Sequence, residues 1–321
     1  MSAPVPVFTD EPLAAILTHV RGALAGGAAT VTLRALDPDH GRGRYPGEVV
    51  EVDGVAYRHR SWRLWVELAE RLGLRLATPR PAPAPLVEVR LERLDPAARW
   101  HDDVAPDRTE KYGAASGFAR VSKLEEPAFV LDLAEAVARL RWPARPRILD
   151  LGVNTGDEVA LLLALVPGLA DGAELVGVDH SASALAVARR RFADRAAIRF
   201  VEADLGDLAG LAAHALGRFD LVLSIGTLQS PGIDDRALLR QLVQDHLAPG
   251  GAIILGVPNC RYVDGEVEHG ARVRNRREPE LGLVIKDVAF YRKYLQQHRR
   301  EVFVTGSRYL LVTAVPVAGA T

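Results

Sequence analysis

The chain has 321 residues, with 40 Lys and Arg against 41 Asp and Glu, and a formal net charge of -1 at pH 7. Because this length exceeds one domain of ordinary size, two folded units are expected. Apolar residues make up 48% and charged residues 25%, which excludes a disordered or collagen-like chain. The balanced charge does not demand a nucleic acid as partner.

Cysteine usage and the N-terminus both favour a cytoplasmic protein. The single cysteine, Cys260, excludes an intramolecular disulfide framework and a cysteine-rich zinc site, and we expect no metal. The N-terminus has Asp10 and Glu11 ahead of its apolar stretch and no basic segment, unlike a signal peptide. No apolar run reaches the roughly 18 residues of a membrane span. We therefore predict a cytoplasmic protein with no membrane partner.

Residues 1–98 predict a small α+β accessory domain. The predicted elements are a helix over 11–25, strands over 29–36 and 47–59, a helix from Ser61 to 72, and a strand over 86–94. The dipeptide Asp53-Gly54 favours a tight hairpin turn within 47–59. The proline-rich residues 79–85 predict an extended connection.

Two tryptophans and an arginine-rich flank could indicate that this domain binds nucleic acid. Trp62 and Trp65 could stack on bases while Arg58, Arg60 and Arg63 neutralise phosphates. Helical spacing instead places Trp65 in an apolar stripe and leaves the arginines in solvent. The near-neutral chain favours this structural interpretation.

Residues 99–126 are polar and show no clean periodicity, so we predict a linker or lid that packs over the second domain. Lys111, Tyr112 and Arg120 are candidate substrate contacts within it. An exposed surface position is the alternative for each of them, because loops generally lie in solvent. A helix is predicted directly afterwards, from Pro127.

From residue 147 onward, predicted strands and helices alternate, which is typical of a parallel sheet covered by helices on both faces. The predicted strands are 147–152, 174–179, 198–204, 219–226 and 251–258. Two further strands, 300–306 and 309–316, are separated by only two residues, and so short a gap forces antiparallel pairing. We predict an α/β fold with a doubly wound, mostly parallel seven-stranded sheet and an antiparallel C-terminal hairpin, preceded by the smaller α+β domain.

Five motifs along this second domain occur in a characteristic order. They are DLGVNTGDE at 150–158, VGVDHSASAL at 176–185, FVEADLGDL at 200–208, FDLVLSIGTLQS at 219–230 and LAPGGAIILGVPN at 247–259. With the terminal hairpin, they resemble the ordered motifs of class I S-adenosylmethionine-dependent methyltransferases. The resemblance implies that residues 127–321 form a methyltransferase domain whose cofactor is S-adenosylmethionine.

The same resemblance implies a cofactor site at the carboxyl ends of the strands, where ligands of open α/β sheets bind. Its implied members are Asp150, Gly152, Asn154, Gly156, Asp179, His180, Asp204, Leu205, Ser224, Ile225 and Gly226. The glycines would admit the cofactor, Asp179 would accept hydrogen bonds from the ribose, and Asp204 would meet the adenine. Taken singly, each acid could instead cap a helix or a turn.

The residues that would contact the methyl acceptor form less distinctive motifs than those of the cofactor site. Gln229, Asn259, Arg261 and Tyr262 are further candidate substrate contacts. The end of the fourth strand lacks the (Asp/Asn)-Pro-Pro-(aromatic) tetrad that family members acting on exocyclic amines of bases often carry. Cys260 follows the fifth strand, and a small buried side chain is favoured over a nucleophile there. The charges that follow, Arg272, Arg274, Arg276 and Arg277 beside Glu266, Glu268, Glu278 and Glu280, give a mixed field that predicts a solvated loop rather than a phosphate site.

We predict an enzyme that transfers a methyl group to a small molecule by in-line displacement, with positioning and exclusion of water supplying most of the acceleration. No catalytic residue is identified from the sequence. An RNA methyltransferase is one alternative, and a non-catalytic cofactor-binding or assembly module is another. A nicotinamide dehydrogenase is a weaker one, because the loop at Gly152 lacks the full G-x-G-x-x-G pattern. The oligomeric state is left open.

Overall fold

The computed structural model of the protein describes residues 4–99, 107–270 and 281–317. Contacts between Cα atoms divide the chain into two units. The first unit comprises the residues up to Arg99 together with Tyr262–His269, and the second unit comprises the remainder.

The first unit contains a three-stranded sheet, a two-stranded hairpin and two helices. Its elements are helix α1 (Leu13–Ala25), strands β1 (Thr30–Leu36), β2 (Val49–Val52) and β3 (Val55–Arg58), helix α2 (Trp62–Arg71), and strands β4 (Leu74–Pro81) and β5 (Leu86–Arg93). The antiparallel sheet has the order β1-β5-β4, and β2 pairs with β3. Asp53 and Gly54 both have positive φ in the β2–β3 turn, which confirms the predicted hairpin.

Strand β4 corrects the expectation of a simple connection over 79–85. The strand extends to Pro81 and pairs with β5, and the register shifts between Ala77 and Arg80. Because β4 is an edge strand and Pro79 falls within the irregularity, the missing proline N–H does not interrupt a central ladder.

The core of the first unit forms around Trp65. This side chain has no exposed surface and belongs to one cluster with Ile16 of α1, Leu33 of β1 and Leu91 of β5. Ser61 caps α2, because its hydroxyl accepts a hydrogen bond from the Leu64 backbone N–H at 3.3 Å. A buried Trp65 cannot stack on a base.

Arg58 and Arg60, two arginines near Trp62, donate hydrogen bonds within the first unit. The Arg58 guanidinium donates to the carbonyl oxygens of Asp10 at 2.9 Å and Gly47 at 3.0 Å. Arg60 is buried and donates to the carbonyl oxygen of Glu11. Burial lowers the pKa of Arg60 from its ordinary value. These contacts give Arg58 and Arg60 a structural role.

The second unit contains a seven-stranded sheet with helices on both faces. The elements that follow in the chain are α3 (Pro127–Ala138), β6 (Arg147–Leu151), α4 (Asp157–Leu165), α5 (Leu169–Gly172), β7 (Glu174–Asp179), α6 (Ala182–Arg191), β8 (Ile198–Glu202), α7 (Leu208–Ala213), β9 (Phe219–Ile225), α8 (Asp235–Gln241), β10 (Leu247–Pro258), β11 (Cys260–Val263), β12 (Glu266–His269), α9 (Leu281–Gln297), β13 (Arg300–Thr305) and β14 (Tyr309–Pro316). The sheet order is β13-β14-β10-β9-β6-β7-β8.

The pairing within this sheet confirms the predicted α/β fold. Strands β6 to β10 pair with one another in parallel, and β14 is antiparallel to both β10 and β13. Helix α9 spans Leu281–Gln297 and buries Val284, Tyr291 and Leu295 on one face. The sheet core consists of aliphatic side chains such as Leu149 and Val222.

The strand order reverses between β6 and β9, because the chain runs from β6 to β7 and β8 on one side and then returns through β9 to β10. Ligands of open α/β sheets bind at such a reversal, outside the carboxyl ends of the strands. The Thr227 hydroxyl, just after β9, donates to the Leu151 carbonyl oxygen at 3.0 Å across this point. The fold thus brings the ends of β6 and β9 together at one crevice.

The hairpin of β11 and β12 contributes to the first unit although it follows β10 in the chain. Arg75 of β4 pairs with Glu266 at 2.8 Å and with Asp264 at 3.5 Å. The Asp264 backbone N–H also donates to the Ala98 carbonyl oxygen at 2.8 Å. Residues Tyr262–His269 therefore belong to the first unit, although they fall within the range 127–321 that the sequence assigns to one domain.

Candidate functional site

The loop after β6 turns through three residues with positive φ. Gly152, Asn154 and Gly156 have φ values of 75°, 46° and 85°, and α4 begins directly after them. A Cβ on Gly152 would lie 2.0 Å from the Thr227 hydroxyl oxygen, and one on Gly156 would lie 2.6 Å from the Phe192 ring. Both glycines are therefore required by close packing as well as by the left-handed backbone.

Asp179 ends β7 beside this loop and holds it in place. One oxygen of the buried carboxylate accepts a hydrogen bond from the Asn154 backbone N–H at 2.9 Å, and the other accepts one from Ser181 at 2.9 Å. The Ser181 hydroxyl in turn accepts from the Ala184 backbone N–H at 3.1 Å and caps α6. His180 is half-buried between them. Each Asp179 oxygen keeps a second lone pair for a ligand.

Asp150 lies on the neighbouring strand within a group of buried charges. It is 1% exposed, and its Oδ2 atom has no hydrogen-bond partner among the described residues. Burial raises the pKa of Asp150 well above its ordinary value, the carboxylates of Glu158 and Asp179 add to this, and Lys123 opposes it. The Lys123 ammonium donates to Glu158 Oε1 at 2.6 Å.

Sequence reasoning missed the ion pair of Lys123 and Glu158. Glu158 stands in the first turn of α4, and Lys123 is one of only four lysines in the chain. Each of those two features could have indicated one residue as a candidate, but neither predicts the contact between them. Their contact spans 35 positions, and only the packing of the 107–126 segment on α4 brings them together.

The 107–126 segment is hydrogen-bonded to the ends of β6 and β7. Glu110 accepts hydrogen bonds from the Ser181 hydroxyl at 3.2 Å, from the Ser183 backbone N–H at 3.2 Å and from the Ser183 hydroxyl. The Ser183 hydroxyl is the main cause that lowers the pKa of Glu110. The Tyr112 carbonyl oxygen accepts from the Asn154 side-chain amide at 2.7 Å.

The three predicted substrate residues of this segment differ in position. Tyr112 is half-buried beside the glycine loop, and burial raises the pKa of its hydroxyl. Lys111 is half-buried, and Arg120 is exposed. The structure therefore brings Tyr112 to the predicted cofactor loop and leaves Arg120 at the surface.

Asp204 and Leu205 follow β8, which ends two residues before Asp204. The exposed Asp204 carboxylate accepts a hydrogen bond from the Gly206 backbone N–H at 2.8 Å, in the manner of a turn-forming acid. Leu205 is 5% exposed and joins the core. Asp204 therefore has a structural role as a turn residue, and its second oxygen faces no described donor.

The end of β9 supplies the other side of the crevice. Ser224 and Ile225 are buried, and Gly226 has a φ of 77°. The Gly226 backbone N–H donates to the Gly256 carbonyl oxygen at 2.8 Å. The Ser224 hydroxyl has no hydrogen-bond partner among the residues that the structure describes. As Ser224 pairs with Leu151 of β6, it lies at the reversal of strand order.

Gln229 lines a cavity of about 710 Å³ that follows the end of β9. The other lining residues are Ser230, Pro231, Gly232, Ile233, Asp234, Asp235, Arg236, Leu283, Lys286 and Asp287. The cavity thus lies between the loop after β9 and the first turns of α8 and α9. Its size is within the range of about 300–1,000 Å³ that is usual for small-molecule sites.

The remaining candidate acceptor residues have varied environments. The buried Asn259 side-chain amide donates to the Ser307 carbonyl oxygen at 3.0 Å and so ties β10 to the C-terminal hairpin. Arg261 is half-buried, and Tyr262 lies in the first unit. The predicted charged loop with Arg272, Arg274, Arg276, Arg277, Glu278 and Glu280 lies outside the described residues.

Cys260 has the environment of a buried, unreactive thiol. It is 7% exposed, and burial is the main cause that raises its pKa to about 12. The nearby Glu126 is also buried, and neither of its carboxylate oxygens has a hydrogen-bond partner among the described residues. Because the thiolate is the nucleophilic form, the prediction of a small buried side chain is confirmed.

The described part of the chain contains neither a membrane-spanning helix nor a cluster of metal-binding side chains. Within residues 4–99, 107–270 and 281–317, no helix combines the length and apolar character needed to cross a membrane. In the same ranges, no group of three or more His, Cys, Asp or Glu side chains could hold a metal ion.

Comparison with known proteins identifies part of the second unit. Residues 148–251 match a family described as a methyltransferase domain. A trans-aconitate 2-methyltransferase of Acidovorax sp. is 34% identical over 125 residues, which are 39% of this chain and 43% of that enzyme. Pyochelin synthetase PchF of Pseudomonas aeruginosa is 40% identical over 187 residues, which are 56% of this chain and 9% of the synthetase. The chain thus spans less than half of the length of the first relative.

Solved structures of low sequence identity also resemble the chain. The CurJ carbon methyltransferase is 14% identical with a TM-score of 0.47, covering 80% of this chain and 79% of that one. DhpI in complex with SAH is 22% identical with a TM-score of 0.40, covering 62% of this chain and 89% of that one.

Proposed function

We propose that this protein, whose residues 148–251 match a methyltransferase-domain family, is a class I S-adenosylmethionine-dependent methyltransferase and transfers the methyl group of that cofactor to a small-molecule acceptor. The observation that carries the proposal is the crevice at the reversal of strand order, with Asp150, Asp179 and the glycine loop at its edge. The similarity to a trans-aconitate 2-methyltransferase and a cavity of small-molecule size support the class of acceptor.

The polar atoms of this crevice fit S-adenosylmethionine. Asp150 Oδ2 and the Ser224 hydroxyl are buried without partners among the described residues, and Asp179 has two spare lone pairs. Ribose hydroxyls and an α-ammonium group are donors that such acceptors need. The backbone N–H groups at the start of α4 suit a carboxylate. Asp150, Asp179, Ser224 and the loop from Gly152 to Gly156 would therefore hold the cofactor.

When bound, the cofactor supplies a methyl group on a positively charged sulfur. The chain's own contribution is to bind the acceptor in line with that methyl group and to exclude water. Such positioning can supply about 7–11 kcal/mol of the barrier. No proton-accepting side chain is required when the acceptor is already nucleophilic.

Isothermal calorimetry with S-adenosylmethionine tests this proposal. We expect saturable binding to the unchanged protein and at least about a tenfold weaker affinity for Asp179→Ala, because hydrogen bonds to a charged group contribute about 1.5–3 kcal/mol. Asp179→Asn, which keeps one acceptor oxygen for the loop, should lose less affinity.

Asp171→Ala is the matched control, because Asp171 is exposed in α5, a helix that contributes nothing to the crevice. Its affinity should equal that of the unchanged protein, and circular dichroism should report the same fold for all variants. Absence of binding to the unchanged protein would contradict the proposed function. Equal binding by Asp179→Ala would contradict the assignment of the crevice.

A further inference from the structure

Gln229 lines the cavity after β9, and the hydrogen bonds of the buried Tyr291 behind it determine how the Gln229 amide is oriented. The Tyr291 hydroxyl of α9 donates its single proton to Asp235 Oδ2 at 2.8 Å. Burial, followed by the hydrogen bond with Asp235, raises the pKa of Tyr291, so the hydroxyl keeps its proton at neutral pH. The Tyr291 oxygen can therefore only accept a hydrogen bond from its next neighbour.

That next neighbour is Gln229. Its side-chain nitrogen lies 3.3 Å from the Tyr291 oxygen and donates to it. Because the amide nitrogen must face Tyr291, the carbonyl oxygen of Gln229 must face away from it. This oxygen is buried and has no hydrogen-bond partner among the described residues. Burying a hydrogen-bond acceptor without a donor costs free energy. A ligand that donates a hydrogen bond to the Gln229 oxygen would remove this cost.

The charges that line the cavity also disfavour a ligand that is rich in carboxylates. Among the described residues that line it, Asp234, Asp235 and Asp287 carry carboxylates, and Arg236 and Lys286 are cations. Arg236 also stacks on the Phe290 ring, with its guanidinium carbon 4.5 Å from the ring centroid. Within this described lining, a substrate with several carboxylates would meet three groups of like charge.

We propose that this cavity binds the methyl acceptor and that the acceptor presents a hydrogen-bond donor, an amine or a hydroxyl, to the Gln229 carbonyl oxygen. The inference rests on the proposed function and deepens it by naming the class of acceptor. It separates this protein from the trans-aconitate 2-methyltransferases that it resembles, whose named substrate is a carboxylate.

With an amine or hydroxyl acceptor, methyl transfer forms one bond and breaks one bond. The lone pair of the amine nitrogen or hydroxyl oxygen forms the new bond to the methyl carbon, and the carbon–sulfur bond breaks with its electron pair remaining on sulfur. The acceptor proton leaves to solvent or buffer. Gln229 accepts a hydrogen bond from the acceptor and orients it, so its role is to bind and position.

The test uses the full chain with methyl-labelled S-adenosylmethionine and two kinds of acceptor. The first is trans-aconitate as a defined polycarboxylate. The second is the low-molecular-mass fraction of a cell extract, separated by ion exchange into cationic, neutral and anionic pools. We expect label in amines or hydroxyl compounds of the cationic or neutral pool and none in trans-aconitate. Transfer to trans-aconitate, or only to the anionic pool, would overturn the inference.

Gln229→Met removes the acceptor oxygen with little change in volume. We expect the concentration of the active pool that gives half-maximal transfer to rise at least about tenfold, because the binding site loses its hydrogen-bond acceptor. Gln296→Met is the matched control, because Gln296 is exposed on α9. Unchanged half-saturation in Gln229→Met would overturn the inference.

A measurement that does not depend on turnover completes the test. The side-chain amide resonance of Gln229, assigned by its loss in Gln229→Met, should shift when the active pool is added and stay unchanged with trans-aconitate. A shift with trans-aconitate and none with the active pool would overturn the inference. Calorimetry separates the two hypotheses, because failed cofactor binding contradicts the proposed function, whereas intact binding with label in carboxylates contradicts only the acceptor class.

Discussion

Asn154 illustrates how one residue combines backbone and side-chain requirements. Glycine is the residue that adopts a positive φ most readily. Here the φ of 46° is a conformation that asparagine tolerates better than most residues. The side chain adds what glycine cannot, a hydrogen bond of 2.7 Å from its amide to the Tyr112 carbonyl oxygen. The departure from glycine therefore connects the loop to the 107–126 segment.

Asp150 is the residue for which stability and ligand binding should conflict. Its carboxylate is buried, lacks a partner on one oxygen and faces two other acids. We expect Asp150→Asn to raise the free energy of unfolding at neutral pH by about 1–3 kcal/mol, because the neutral amide removes a buried charge that faces the carboxylates of Glu158 and Asp179. Urea denaturation measures this gain.

The pH dependence of that gain has a definite sign. Since the folded-state pKa of Asp150 is raised, the penalty for its ionised form is full above that pKa, shrinks as pH falls below it, and is gone below the ordinary pKa of an unfolded aspartate. The difference between Asp150→Asn and the unchanged protein should therefore shrink towards acid. Asp171→Asn, at an exposed site, should show no such difference. A gain that grows towards acid would contradict this account of Asp150.

The 107–126 segment shows how an element without a helix or strand pattern is held by side chains. Glu110 binds the first turn of α6, where a carboxylate also complements the helix dipole. Lys123 binds Glu158 in the first turn of α4, and both side chains are largely buried. The segment is thus bonded to two helices that begin at the crevice.

Breaking the pair of Lys123 and Glu158 should destabilise the second unit strongly. Lys123→Met leaves the Glu158 carboxylate buried without its cation, and such a loss usually costs about 3–5 kcal/mol. The double variant Lys123→Met/Glu158→Leu should recover most of this loss, because the orphaned charge is gone. Lys111→Met serves as the control. Urea denaturation of the unchanged protein, of the single variants Lys123→Met and Glu158→Leu, and of the double variant gives the coupling energy, and additive losses would contradict a direct pair.

At the scale of the whole molecule, charge and burial argue against RNA as the substrate. The net charge is -1, Trp65 is buried, and Arg58 and Arg60 donate to backbone carbonyls. We expect no retention of total RNA in a filter-binding assay at about 0.15 M salt, the physiological ionic strength. Retention that falls steeply with salt, and whose slope decreases in Arg63→Ala, would instead support the RNA alternative.

Local patterns in the sequence determined the class of the fold and much of the crevice. Alternating strands and helices predicted a parallel sheet, and a two-residue gap predicted the antiparallel end. Asp150, Asp179 and the loop at Gly152 meet because the carboxyl ends of neighbouring parallel strands necessarily share one edge of the sheet. Those conclusions needed only periodicity and strand direction, which neighbouring residues encode.

Only the tertiary structure decided which distant side chains meet at the ends of the strands. Gln229 faces Tyr291 across 62 positions, and Lys123 meets Glu158 across 35. The hairpin at Asp264 joins the first unit through Arg75, although the motifs around it belong to the second. No local period encodes such pairs, because they depend on how whole elements pack once apolar faces are buried.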